Sequence, residues 1–69
     1  MKITYDSDAD AMYICLDEKA QVGKTKEIEK DVIVDYDKKG RIIGVELLFI
    51  KEKRPELLKQ IKVENLVSA

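Results

Sequence analysis

Asp6, Asp8 and Asp10 stand at alternate positions, and Asp17 falls where the twelfth residue of a calcium loop begun at Asp6 would lie. Carboxylates at that spacing are the hard oxygen donors that Ca²⁺ takes. Such a loop needs glycine at its sixth position for the sharp turn, and here that residue is Ala11; the flanks also read as strands where an EF-hand has helices. The competing reading is an Asp-rich turn whose carboxylates accept backbone N–H bonds. The neighbours favour the turn, so no metal or other cofactor is expected, and Asp6, Asp8 and Asp10 are the candidate ligands for an Asp-dependent metal enzyme. Asp35, Asp37 or Glu46 could join them if the fold brought the two regions together, pairing carboxylates for a cation or for proton transfer. Glu46 is a carboxylate inside an apolar run, which fits a rim position or an ion pair with a lysine.

Other chemistries lack their residues. The chain has no histidine, which removes the usual base of hydrolytic triads, any Cys-His nucleophile pair and the commonest transition-metal ligand. Cys15 lies between Ile14 and Leu16 in an apolar strand pattern and reads as an inert, buried small hydrophobe. Gly23, Gly40 and Gly44 are scattered through turn and strand contexts and form no phosphate loop. Lys51-Glu52-Lys53-Arg54 with Lys59 and Lys62 is the one basic concentration. Aromatic residues are too few to give it stacking platforms, so it reads as a solvated helix face and not as a nucleic-acid site.

These residues must be positioned by a small fold. Sixty-nine residues allow one hydrophobic core, and a chain of this size buries only about 60% of the surface its unfolded form exposes. With a single cysteine, no internal disulfide can stabilise it, and a lone thiol suits a reducing compartment. No signal-like or membrane-spanning apolar run is present, which points to a cytoplasmic protein with no membrane partner. Hydrophobic residues make up 45% and charged residues 39%, with a net charge of −1; this describes a folded domain with no general attraction to nucleic acid.

Period-two patterning dominates the first fifty residues. Ile3 and Tyr5 alternate with Lys2 and Thr4, the acidic run after them reads as a turn, and Ala11 to Leu16 returns as a strand with Met12, Ile14 and Leu16 on one face. Thr25 to Tyr36 reads as one interrupted strand, broken near Glu29-Lys30. Asp37-Lys38-Lys39-Gly40 has the residues of a type I turn ending in a left-handed glycine, the pattern of a hairpin with a bulge. Arg41 to Ile50 is apolar on both sides, with Ile43, Val45, Leu47 and Phe49 on one and Ile42, Leu48 and Ile50 on the other, as in a central strand covered twice. Gly44 within it signals a bulge or a close backbone approach. Pro55, Glu56, Leu57, Leu58 and Ile61 then read as a short amphipathic helix.

The pattern predicts an α+β domain over residues 1–69. A four-stranded antiparallel β-sheet (β-meander) takes residues 1–50, one short C-terminal α-helix at 54–63 packs on one face, and a tail takes 64–69. One short helix covers one face of such a sheet, whereas two strands are apolar on both. The surplus apolar surface marks an interaction site, and a homodimer is the expected partner arrangement. Ile43, Val45, Leu47, Phe49 and Leu57 are the residues assigned to core or interface.

Tyr5, Asp6, Ala9-Asp10-Ala11 and Tyr13-Ile14, followed by Asp35, Asp37, Gly40 and Gly44-Val45-Glu46, resemble the two signature segments of a small prokaryotic family, the domain of unknown function 2283. The similarity runs over about residues 1–50. It implies no catalytic residues, because the family defines none. Some relatives are encoded beside a small predicted toxin, which makes an antitoxin-like protein that blocks such a partner a second implied function. Sequence therefore favours a non-catalytic interaction module that self-associates through an apolar sheet face, with the antitoxin-like role and the Asp-dependent metal enzyme as alternatives.

Overall fold

The structure is a computed structural model and describes residues 1–60. It forms one antiparallel sheet of five strands: β1 (Lys2–Asp6), β2 (Ala11–Cys15), β3 (Lys24–Glu29), β4 (Val32–Tyr36) and β5 (Ile42–Leu48). They lie in the order β1-β2-β5-β4-β3. The expected four-stranded meander is thus corrected on two counts. The segment Thr25 to Tyr36 is two strands joined by the tight turn Lys30-Asp31, and the last strand inserts between β2 and β4.

The break read near Glu29-Lys30 is a hairpin turn at Lys30-Asp31, and it does not read as one because it lacks the Asn-Gly or Asp-Gly signal of the primed hairpin turns. Neither residue takes a positive φ. The β3–β4 pairing instead slips between Glu27 and Glu29, a bulge that absorbs the twist an ordinary turn would otherwise impose. The hairpin at Asp37–Gly40 forms as its residues predict. Gly40 has φ +85° and its N–H donates to Asp37 O at 3.1 Å, while the Asp37 N–H donates to Arg41 O at 2.9 Å.

Paired residues share a face, and the registers define two unlike ones. Ile3, Ile14, Val45 and Val34 form one row across β1, β2, β5 and β4; Tyr5, Met12, Leu47 and Val32 form the next. The core lies on this side, where Met12, Val34 and Ile43 are buried. The opposite face carries the rows Thr4, Tyr13, Glu46, Ile33 and Lys2, Cys15, Gly44, Asp35. So β5 is central, as its composition requires, yet its second side is Gly44 and Glu46 with Leu48 at the end. The second apolar face expected of it does not exist: a register slip opposite Asp35 and Tyr36 throws Ile42 out of alternation, and Ile50 has already left the strand.

Phe49 ends the sheet in a left-handed conformation, φ 57° and ψ 45°. A four-residue helix, α1 (Ile50–Lys53), follows at once, and Pro55–Leu58 forms a single 3₁₀ turn. The helix therefore begins before the expected start at residue 54, and Pro55 opens a 3₁₀ turn in place of an α-helix. These two turns pack chiefly against each other. Residues 61–63 of the expected helix, and the tail at 64–69, lie outside the described residues. Among the described residues Ile50 is the most deeply buried side chain, with no exposure.

Candidate functional site

The signature residues of the sequence resolve into two tyrosine–aspartate pairs. On the polar face the Tyr13 hydroxyl donates to Asp35 Oδ2 at 2.7 Å, and the Thr25 hydroxyl donates to Asp35 Oδ1 at 2.6 Å. Tyr13 stands on β2 and Asp35 on β4, so the phenol must cross β5. It does so over Gly44, where any Cβ would overlap the ring and hydroxyl of Tyr13. Gly44 is the close backbone approach its sequence context suggested. The carboxylate acceptor holds the Tyr13 hydroxyl protonated and pushes its pKa up to about 12, with burial adding to the effect.

The second pair sits where the apolar face meets the β1–β2 turn. The Tyr5 hydroxyl donates to Asp10 Oδ1 at 2.7 Å, which pushes the Tyr5 pKa up to about 12. The same bond, with the Lys51 N–H at 3.0 Å, holds the Asp10 carboxyl below the usual carboxylate range. Asp10 also takes a positive φ of 54° and its carbonyl accepts the Ile50 N–H at 3.4 Å. One turn residue thereby fastens the start of α1.

Asp31 fastens the other end of that segment. It is only 6% exposed; Arg54 Nη1 donates to its Oδ2 at 3.0 Å and Lys53 Nζ lies 3.5 Å from the same oxygen. The Arg54 hydrogen bond holds its carboxyl below the usual range, with Lys53 assisting. The basic segment expected to be a solvated face is therefore in part an anchor. Sequence reasoning missed Asp31, whose one signal was an acidic residue opening the apolar run Val32-Ile33-Val34.

The candidate metal ligands have other work. Asp6 Oδ1 accepts the N–H groups of Asp8 and Ala9 at 3.0 and 3.2 Å, and Asp10 serves Tyr5 and Lys51. Asp35 and Asp37 lie towards the opposite end of the sheet from this turn. Among the described residues no three Asp, Glu, Cys or His side chains gather where they could hold a metal ion. Glu46 sits half-buried at the centre of the polar face between Tyr13 and Ile33. It is at no rim, and no ion pair among the described residues includes it. Cys15 is half-buried on the same face.

Proton transfer at neutral pH is poorly served by these groups. Efficient acids and bases titrate near the working pH, whereas Tyr5 and Tyr13 are pushed away upwards and Asp10 and Asp31 downwards. Asp37 is likewise lowered, first by the Arg41 N–H and then by the Arg41 side chain. A shallow open cavity of about 320 Å³ lies beside it, lined by Asp17, Lys19, Lys38, Lys39 and Arg41 among others. Its lysines are exposed and its one buried acid is already engaged.

The expected interface residues divide. Val45 and Leu47 are half-buried on the apolar face and Ile43 is 4% exposed in its core. Phe49, 44% exposed, lies beyond the strand beneath Lys53, whose Nζ is 5.7 Å from its ring centre. Leu57 is half-buried in the 3₁₀ turn. Sequence reasoning did not single out the end of the face remote from α1, where Ile3, Leu16 and Ile42 are all more than a third exposed.

No helix of the described residues is long and apolar enough to cross a membrane. No curated protein and no solved structure matches the chain at a significant level. The family model described as protein of unknown function DUF2283 matches residues 2–51, which spans all five strands and both tyrosine–aspartate pairs. The chain belongs to the DUF2283 family.

Proposed function

We propose that this protein is a non-catalytic interaction module that pairs with a second copy of itself through the apolar sheet face. The observation that carries this is the exposed end of that face. Ile3, Leu16 and Ile42 stand open to solvent and run without interruption into half-buried Ile14 and Val45. Contiguous apolar surface of that kind marks an association site. The opposite face supports the same reading, because Tyr13 and Thr25 are spent on Asp35. A free thiol at Cys15 fits a cytoplasmic setting.

Sedimentation or light scattering over a range of concentrations tests the pairing. The parent chain runs at a multiple of the single-chain mass, and Leu16→Lys, at an already exposed position, lowers that mass while leaving the circular dichroism spectrum unchanged. A parent chain that stays a single copy at high concentration, or a Leu16→Lys chain of unchanged mass, rules the reading out. An antitoxin-like role would place a small toxin on the same face; co-purification of one stoichiometric partner from the native cell, lost in Leu16→Lys, separates that occupant from a second copy.

A further inference from the structure

The two outer strands of the sheet differ. On β3 the register slips between Glu27 and Glu29, so that edge bulges at Ile28, a common device against strand addition. On β1 the pairing with β2 is regular from Lys2 to Asp6, and nothing in its ladder bends the edge away.

The hydrogen-bond alternation fixes which β1 backbone groups face outwards. Leu16 N–H donates to Ile43 O on β5, and Leu48 N–H donates to Asp31 O beside β4. Successive residues of an antiparallel strand turn their N–H and C=O to opposite neighbours. Met12 and Ile14 therefore address β5, and Ala11, Tyr13 and Cys15 address β1. On β1 they are met by their partners Asp6, Thr4 and Lys2. The N–H and C=O of Ile3 and Tyr5 aim away from the sheet.

We infer that β1 pairs antiparallel with β1 of a second copy about a two-fold axis at Thr4, joining two five-stranded sheets into one of ten strands. Lys-Ile-Thr-Tyr-Asp laid against itself in that register is self-complementary. Ile3 meets Tyr5 of the other copy as a hydrogen-bonded pair, which satisfies the outward groups of both residues twice over. Lys2 meets Asp6 on the polar face, and two-fold symmetry supplies that opposite-charge pair a second time. The turn bonds that Asp6 accepts fall on Oδ1, so its Oδ2 can meet the lysine. β3 offers no equivalent, because its bulge breaks the straight ladder that such pairing needs. This contact uses backbone and polar-face groups and does not rest on the apolar-face pairing proposed above.

At the axis Thr4 faces its own symmetry mate as a non-hydrogen-bonded pair, with Cα atoms about 4.5 Å apart, inside the range a disulfide spans. Thr4→Cys in a Cys15→Ser background should therefore oxidise mainly to a covalent dimer under mild conditions, and Glu27→Cys in the same background should remain reduced. Adding Leu16→Lys removes the apolar-face contact and leaves the Thr4→Cys cross-link intact. Ile3→Pro removes one outward N–H without touching the β1–β2 ladder, and should abolish the edge contact in a chain that still folds. Cross-linking of Thr4→Cys no faster than Glu27→Cys overturns the inference. If the parent chain still associates and Leu16→Lys dissolves it, the edge contact alone has failed and the face contact stands.

Discussion

Tyr13 and Asp35 are joined at 2.7 Å across an intervening strand, and the strand between them admits no side chain at Gly44. Gly44→Ala should cost about 1–3 kcal/mol, the usual penalty for forcing a methyl into filled space, read as a lower urea midpoint. Tyr13→Phe removes the hydrogen bond and keeps the ring, and should cost about 1 kcal/mol. The clash makes the two positions non-additive: Gly44→Ala combined with Tyr13→Val should cost less than the sum of the single changes. Additive costs would show that the phenol does not lie over Gly44.

Gly23 presents the same logic between loops. A Cβ there would lie 2.8 Å from Lys38 N and 2.9 Å from Asp37 C, both backbone atoms that cannot swing aside. Gly23→Ala should destabilise by about 1–3 kcal/mol, measured by thermal melting, whereas Lys38→Ala beside it should change little.

At high pH the two tyrosine–aspartate pairs should resist ionisation. Folded Tyr5 and Tyr13 are pushed up to about 12 from an ordinary value of 10.0. Because the folded values are the higher ones, the stability these groups contribute is complete below pH 10 and is lost as pH rises towards 12. Ultraviolet titration should show Tyr5 and Tyr13 ionising late. Asp10→Asn should bring Tyr5 back towards its ordinary value, and Asp35→Asn should do so for Tyr13.

At low pH the sign reverses. Asp10, Asp31 and Asp37 are all held below the ordinary value of 3.8, so their contribution is present above that value and is lost as pH falls through the lowered ones. Acid unfolding followed by circular dichroism should be less steep in Asp31→Asn, which removes the acceptor for Arg54 and Lys53 together. Carbon-detected NMR titration should place these three carboxyls below the ordinary value of 3.8.

What the sequence revealed was whatever depends on neighbours along the chain. Alternation located β1, β2, β4 and β5, and Asp37 with Gly40 specified their hairpin, because those signals are written within a few residues. The break near Glu29-Lys30 was legible but not its reversal into a hairpin, because the register change sits on β3 between Glu27 and Glu29 and not in a turn residue of its own. Strand order, the span from Tyr13 to Asp35 and the grip of Asp31 on Arg54 join residues more than twenty positions apart, and no local pattern encodes them. The apolar run Ile42 to Ile50 misled for a related reason. Alternation read across a bulge and a left-handed Phe49 assigns side chains to the wrong side.

β2 and β4 meet only through β5, the last of the five described strands to leave the ribosome. Until residues 42–48 emerge, the nascent chain holds two separate hairpins, each too small to persist alone in water. Completion of the sheet is therefore a zipping event that waits for β5, and a chain cut short before Ile42 has no partial fold to fall back on.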